Sequence, residues 1–70
     1  MIEVNIKESN NLKKVFYDEY RKELWVVFNS DQIYKYDNVA LDVISDFKLA
    51  EDSGKFFYHN IRNKYKYKNV

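Results

Sequence analysis

The chain of 70 residues is long enough for one domain and no more, so we expect a single domain over residues 1–70. It has no cysteine and one histidine, which excludes disulfides and the usual zinc and iron–sulfur sites, and we expect no metal and no cofactor. The apolar share of 46% and the aromatic share of 19% are too high for a disordered chain. A core this small is thinly stable, so we expect self-association into a homo-oligomer.

The formal charge is only +1, but it is unevenly distributed along the chain. The first 52 residues carry seven cationic and eleven anionic side chains, a net charge of −4, whereas the last 18 carry five cations and no anion. This asymmetry indicates either a local field that attracts phosphates or a solvated basic tail. The first ten residues lack the apolar centre of a signal peptide, and no run approaches the ~20 apolar residues of a membrane span. We therefore expect a cytoplasmic protein without a membrane partner.

Short strands dominate the first half of the chain. Ile2, Val4 and Ile6 alternate with polar residues, which is the pattern of a strand with one buried face. Further apolar or alternating runs are separated by residues typical of turns. Strands are therefore predicted at residues 2–6, 12–17, 24–28 and 33–36, with connections at 8–11, 18–22 and 29–31. Connections this short favour antiparallel neighbours.

Two helices and a last strand are predicted in the second half. Ala40, Val43, Ile44 and Phe47 recur at helical spacing, which predicts an amphipathic helix that ends near residue 50. Asp52 or Ser53 can cap a second helix beginning near residue 54, and residues 64–68 alternate lysine with tyrosine as a short strand does. The predicted fold class is α+β, a small antiparallel sheet of three to five strands packed on one face by two α-helices.

The order and spacing of these residues resemble the KTSC domain, a short module found alone and at the C-terminus of some lysyl-tRNA synthetases. The resemblance spans nearly the whole chain and is carried by Tyr17-Asp18, residues 24–28, Tyr34-Lys35-Tyr36, Ala50, Gly54, Phe57, Ile61-Arg62 and Tyr65-Lys66-Tyr67. The family usually has glycine at the position of Asp31, proline at Ala40 and serine at Asp52. The resemblance implies RNA binding, as suggested for the family, without an established activity.

The start of the second helix is a candidate phosphate site. Free amides at Ser53 and Gly54, together with the helix dipole, favour an anion, and Gly54 would let a phosphate approach the backbone. Lys55, His59 and Arg62 would add positive charge along one side of the helix. The alternative interpretation is an ordinary capped helix with a solvated polar face.

The face of the sheet on which each aromatic residue lies depends on the register of the hairpin between the third and fourth strands. A two-residue loop at residues 30–31 would place Trp25, Val27, Tyr34 and Tyr36 on one face and Leu24, Val26, Phe28 and Ile33 on the other, and a loop one residue longer would exchange these sets. In the first register both faces are apolar, and the helices can cover only one. The other face would stack nucleobases or form a subunit interface.

We predict a protein that is not an enzyme, because no nucleophile is tied to His59 and the acidic pairs lie in turns. The main hypothesis is capture of a small phosphate-bearing nucleotide between subunits, as a phage protein that sequesters a nucleotide immune signal would do. The candidate ligand-binding residues are Ser53, Gly54, Lys55, His59, Arg62, Trp25, Tyr34, Tyr36, Tyr65 and Tyr67. One alternative is RNA binding with Lys64, Lys66 and Lys68 on phosphates, and another is docking of the aromatic face on a partner such as a host protein.

Overall fold

The computed structural model describes residues 1–7 and 9–70. Glu8, which belongs to the predicted connection at 8–11, lies outside the described residues. The described residues form strands β1 (Ile2–Glu3), β2 (Leu12–Asp18), β3 (Glu23–Phe28), β4 (Ile33–Tyr36) and β5 (Tyr67–Asn69), and helices α1 (Leu41–Leu49) and α2 (Ser53–Asn60). The strands pair antiparallel in the order β1-β2-β3-β4-β5, with both helices inserted between β4 and β5. The predicted α+β class is confirmed.

The core lies between the two helices and one face of the sheet, which we call the covered face. Alternate strand residues such as Val15, Leu24 and Val26 are fully buried there, because successive side chains of a strand point to opposite faces. Ile44 and Phe47 of α1 and Phe57 of α2 complete the same cluster of buried side chains. The opposite face of the sheet, which we call the open face, carries no helix of the described chain.

The hairpin between β3 and β4 has the longer of the two loops considered from the sequence. Phe28 and Gln32 close it, and the amide of Asp31 donates to the Phe28 carbonyl at 2.8 Å. Asp31 has a φ of 71°, the left-handed conformation that three-residue loops require at this place. Tyr34 lies opposite Val26 and Tyr36 opposite Leu24, so both tyrosines belong to the covered face.

The first strand is shorter than predicted. The strand covers only Ile2–Glu3, with Ile2 57% exposed, and the buried Val4 makes one more bond to β2 by donating its amide to the Val15 carbonyl at 2.7 Å. The chain then leaves the sheet toward the helices, where the Lys7 amide donates to the Ser53 hydroxyl at 2.8 Å and the Lys7 ammonium to the Ala50 carbonyl at 2.9 Å. These two bonds to distant residues replace the ladder that alternation alone predicted.

The second helix begins as expected, with Asp52 as its N-cap and the carboxylate accepting from the Lys55 amide at 2.9 Å. The last strand begins later than predicted, at Tyr67, because Ile61 is buried beyond the end of α2 and its carbonyl accepts from the Lys64 amide in a further turn. Across residues 1–7 and 9–70, the structure contains no helix with both the length and the apolar character needed to cross a membrane.

Candidate functional site

A cleft of about 450 Å³ opens between α2 and the strands β3, β4 and β5; we call it the aromatic cleft. Its volume is within the range of ~300–1,000 Å³ found for small-molecule sites. Its aromatic lining is formed by Phe28, Tyr34, Tyr36, Phe57, Tyr58 and Tyr67. Its amide side chains come from Asn10, Asn11, Asn29, Gln32 and Asn63. This lining suits a planar ligand that also carries hydrogen-bonding groups.

Three tyrosines meet along one wall of the cleft, and we call them the tyrosine stack because the Tyr34 ring stacks on the rings of both Tyr36 and Tyr67. Tyr34 and Tyr36 alternate on β4, and Tyr67 lies opposite Tyr36 on β5, so strand pairing brings all three to the covered face. The rings of Tyr34 and Tyr67 are 5.4 Å apart between centroids with planes inclined by 18°. Tyr67 is 57% exposed, so its ring combines a fixed position with surface that a ligand can reach. Stacked, partly exposed rings of this kind bind nucleobases by their faces.

Arg62 is the one charged side chain among the described residues that line the aromatic cleft. It directly follows Ile61, the C-cap residue of α2. Its guanidinium carbon lies 5.3 Å from the centroid of the Tyr58 ring. A cation over a ring face is attracted by the negative face of the ring, which gives the flexible side chain a preferred position. A guanidinium held in this way can form paired hydrogen bonds with a phosphate.

Tyr36 forms the floor of the cleft and is only 2% exposed. Burial, with smaller contributions from Tyr34 and Tyr67, raises the pKa of Tyr36 to about 12, although Arg62 acts in the opposite direction. The phenol therefore stays protonated near neutral pH. It can donate a hydrogen bond, but it is a poor general base, since an effective base has a pKa near the working pH.

A second depression, the polar groove, lies at the start of α2 and is separated from the aromatic cleft by Tyr58 and Gly54, which line both. Lys55 and His59 line this groove together with the carboxylates of Glu51 and Asp52. Two carboxylates against one lysine give it a net negative charge when the histidine is neutral. A phosphate is therefore disfavoured in the groove, in contrast to the expectation from helix polarity alone.

Part of the start of α2 is already occupied by the chain itself. The Lys55 amide is bonded by the Asp52 carboxylate, and Ser53 is fully buried with its hydroxyl accepting from the Lys7 amide. A Cβ placed on Gly54 would lie 2.8 Å from the Ser9 hydroxyl, which itself accepts from the amides of residues 11 and 12. Gly54 thus accommodates Ser9, and a ligand has no access to Ser53.

The structure divides the residues that the sequence grouped into one site. Tyr34, Tyr36, Tyr67, Gly54 and Arg62 line the aromatic cleft, whereas Lys55 and His59 line only the polar groove. Arg62 lies apart from Lys55 and His59 because it follows the end of α2, whereas they lie within the helix.

Two further predicted residues lie outside both depressions. Trp25 lies opposite Lys35 in the ladder and therefore on the open face, away from Tyr34 and Tyr36. Tyr65 packs against the core as a partly buried ring and lines neither the cleft nor the groove. We therefore remove Ser53, Trp25 and Tyr65 from the candidate site.

Several cleft residues were missed from the sequence. Tyr58 lies one position after the core residue Phe57, and only the 100° turn per helical residue could have placed it at the edge of the buried side. Phe28 was assigned to a sheet face without a function. Asn10, Asn11 and Asn29 were interpreted only as turn residues. The side-chain amide of Asn29 donates to the Asn10 carbonyl at 2.6 Å, so the two turns lie next to each other.

The family sequence model of the KTSC domain matches residues 8–65 of the chain, so the chain belongs to the KTSC domain family. The resemblance inferred from the sequence is confirmed. The chain is also similar to the crystal structure of a KTSC domain protein from Yersinia pestis, with a TM-score of 0.87 and 23% identity over 94% of this chain and 93% of that chain. At this identity the likeness shows the shared fold alone. No curated protein matches the chain.

Proposed function

We propose that the aromatic cleft binds a small nucleotide, with its base against the tyrosine stack and a phosphate on Arg62, and that the protein captures this ligand without turning it over. The observation that carries the proposal is the stack of Tyr34 and Tyr67 in the same cleft as a single guanidinium. Base stacking on aromatic side chains contributes ~1–3 kcal/mol per base. The amides along the rim are suited to the polar edges of a base.

Capture without catalysis follows from the groups that the cleft contains. Tyrosines, amides and one guanidinium bind and orient, and the buried Tyr36 has a pKa of about 12, far from that of a general base at neutral pH. His59 lines the polar groove instead of the cleft. A protein of this kind lowers the free concentration of its ligand by binding it, which is the action of a sequestering protein.

The distribution of cations favours a ligand with few phosphates over a long RNA. Arg62 contributes one charge to the cleft, whereas RNA binding rests on many contacts to phosphates. Lys68 lies beside Tyr67 on β5 and opposite Lys35, so it faces the open side of the sheet and away from the tyrosine stack. The predicted row of lysines therefore does not extend the aromatic cleft.

The ligand cleft is formed within one chain, and this changes the expected role of a second subunit. The cleft lies on the covered face, so no partner is needed to build its walls. The spare apolar surface of the sheet lies on the open face. We therefore propose nucleotide capture by each chain separately, instead of capture in a pocket between two chains.

The test is calorimetric titration of the protein with the four nucleoside monophosphates, cyclic dinucleotides and a short single-stranded RNA. Tyr67→Ala should weaken nucleotide binding by about 5-fold to 150-fold, since it removes ~1–3 kcal/mol of stacking. Tyr20→Ala is the matched control, because the Tyr20 ring is 90% exposed and lines neither depression. Equal affinities for the two variants would contradict the stacking role.

The phosphate contact is tested in the same way. Arg62→Gln should weaken binding of a monophosphate by about tenfold or more and leave the affinity for the nucleoside unchanged, because a charge-assisted bond contributes ~1.5–3 kcal/mol. Lys64→Gln is the control, as an exposed cation two residues away that does not line the cleft. A steep fall of affinity with salt, and a clear preference for the RNA, would instead support RNA binding.

A further inference from the structure

Tyr36 has a hydroxyl group at the floor of the aromatic cleft that forms no hydrogen bond with any described residue, although the residue is only 2% exposed. Tyr17, which is equally buried, differs in this respect, because its hydroxyl donates to the Val39 carbonyl at 2.6 Å. Every fully buried side-chain oxygen or nitrogen of the described residues has a partner, so the Tyr36 hydroxyl keeps a small contact with the cleft. A buried hydroxyl without a partner costs free energy, and an acceptor on a ligand removes that cost.

The hydroxyls of Tyr34 and Tyr67 lie on the same side of the sheet as that of Tyr36. The three ring centroids are 5.4 to 6.4 Å apart, and the ring planes are inclined to one another by 37° or less. Neither of these two hydroxyls has a partner within the described chain. Two donors that share one acceptor atom lie up to twice an O–H···O bond of ~2.7 Å apart, and a group with several acceptor atoms spans more. The tyrosine stack therefore offers three hydroxyls to one ligand group.

Arg62 adds a positive charge to this cluster of hydroxyls. It lines the same cleft, and its guanidinium has five N–H donors and no acceptor. Burial is the main reason that the pKa of Tyr36 is raised to about 12, but Tyr34, Tyr67 and Arg62 also act on this pKa, which agrees with their lying close to the phenol oxygen. At neutral pH the phenol is protonated and donates, so the cluster combines neutral donors with one cation.

We propose that the Tyr36 hydroxyl, together with Arg62 and the hydroxyls of Tyr34 and Tyr67, holds a terminal phosphate, so that the cleft selects nucleotides that end in a phosphomonoester. This inference rests on the proposed function, because it assigns the phosphate of that ligand to particular donors. A monoester presents three acceptor oxygens and up to two negative charges. A phosphodiester has one oxygen and one charge fewer to offer. Cyclic nucleotides and the internal phosphates of RNA are diesters, and they use fewer of these donors.

A phosphate matches the cluster better than the edge of a base does. Base edges present donors and acceptors side by side, whereas the oxygens of an ionised phosphate only accept. Side-chain amides can match a base edge because they both donate and accept, and the cleft contains such groups at Gln32 and Asn63. The two kinds of lining group thus suit the two ends of one nucleotide.

The first test compares ligands that differ only in the phosphate. Each of the four nucleoside 5′-monophosphates is titrated calorimetrically beside its 3′,5′-cyclic form and its nucleoside. The monophosphate that binds best should bind about tenfold more tightly than the cyclic form of the same base, because a hydrogen bond to a charged group is strong and the diester accepts fewer. Equal affinities, or a preference for the cyclic form, would overturn the proposal.

The second test removes the buried hydroxyl and keeps the ring. Tyr36→Phe should weaken binding of the monophosphate by about tenfold or more and leave the affinity for the nucleoside unchanged. The melting temperature of the free protein should stay the same, since the hydroxyl has no described partner to lose. Tyr65→Phe is the control, because it deletes a hydroxyl from a partly buried ring outside the cleft and should leave every affinity unchanged.

Two results with Tyr36→Phe would overturn the proposal. An unchanged affinity for the monophosphate would show that the hydroxyl does not contact the ligand. An equal loss for the monophosphate and the nucleoside would place the hydroxyl against the base or the sugar instead of the phosphate.

Inorganic phosphate separates this inference from the proposed function. Followed by phosphorus NMR, it should bind the unaltered chain in the millimolar range and bind Tyr36→Phe about tenfold more weakly. If phosphate binds in this way but no nucleotide binds more tightly than phosphate, the proposed function fails and the phosphate subsite stands. If nucleotides bind while phosphate does not and Tyr36→Phe has no effect, the subsite fails and the proposed function stands. Binding of neither would contradict both.

Discussion

The two faces of the sheet are built from the same strands, yet they differ in what they can do. On the covered face, Leu24, Val26 and Tyr36 are buried under the helices, and the tyrosines emerge at the edge of α2 as the wall of a cleft. On the open face, Trp25 and Val27 are partly exposed apolar residues, and charged residues of both signs lie beside them. The difference teaches that aromatic content alone does not locate a site. Because successive side chains of a strand lie on opposite faces, neighbouring residues contribute to different surfaces.

The two faces also differ in the kind of partner that each suits. The cleft has concave walls and a single cation, which suits a small anionic ligand with a flat ring. The open face is apolar at its centre and carries charges of both signs, which suits another protein surface. The largest losses of stability are expected where a substitution places a charge on the covered face.

Val26 and Val27 are neighbours on β3 that face opposite sides, and a carboxylate at each tests the contrast directly. Val26→Asp should lower the free energy of unfolding by more than about 4 kcal/mol, because it places an unpaired charge in a site of zero exposure. Val27→Asp, on the partly exposed side, should lower the free energy of unfolding by less than about 1 kcal/mol. Urea denaturation at low protein concentration gives both values, and similar losses for the two variants would contradict the assignment of the faces.

Burial on the covered face also predicts a pH dependence. The pKa of Tyr36 is raised from 10.0 to about 12, chiefly by burial. Above pH 10 the unfolded chain therefore loses this proton while the folded chain keeps it, so the stability conferred by the neutral phenol is present below pH 10 and falls as pH rises toward 12. Each unit of pKa corresponds to ~1.4 kcal/mol, so a shift from 10.0 to about 12 gives a loss on the order of 3 kcal/mol.

Tyr36→Phe removes that titration. Its free energy of unfolding should fall less steeply between pH 10 and 12 than that of the unaltered chain. Tyr17 remains in both proteins as a second buried phenol with a raised pKa, and it accounts for part of the slope that persists. Parallel profiles for the two proteins in urea denaturation would show that Tyr36 does not titrate as its burial implies.

The smallest effect is expected at the turn that sets the register of the two faces. Asp31 has a φ of 71° and its carboxylate lies 2.8 Å from the exposed Lys13 ammonium, which also lowers the pKa of Asp31. Asp31→Gly and Asp31→Ala both remove this exposed ion pair, but only alanine keeps a Cβ in the left-handed conformation. The glycine variant should be more stable than the alanine variant by about 1 kcal/mol. Equal melting temperatures for the two variants would argue against a left-handed residue in this loop.

Local pattern predicted most of the fold. Strands β2, β3 and β4 lie within a residue of their predicted limits, and both helices were identified by their spacing and by the Asp52 cap. The first and last strands were the least accurate, because contacts with distant residues determine them. Lys7 leaves the sheet to bond Ser53 and Ala50, and the turn after Ile61 delays the last strand.

The candidate site was predicted only in part. The tyrosines of the Tyr-Lys-Tyr motif and Arg62 do lie together, but Trp25 is on the other face and Lys55 is in a groove with two carboxylates. The sequence indicated a cation-rich helix start capped by Asp52 or Ser53, but it did not reveal that the Ser9 hydroxyl lies against Gly54, where a phosphate was expected. Which residues approach one another across 40 or more positions of chain is not contained in local periodicity.

The sequence by itself determined both helices and the strands β2, β3 and β4, because turn residues, caps and apolar spacing act over a few residues and are visible in the order of the chain. It also determined the KTSC resemblance. The tertiary structure alone decided which side of the sheet each ring faces, since that depends on one residue in a hairpin loop. The tertiary structure also decided that Arg62 is the cation beside the tyrosines. The strands β4 and β5 approach the end of α2, where Arg62 lies, and not the helical face that carries Lys55 and His59.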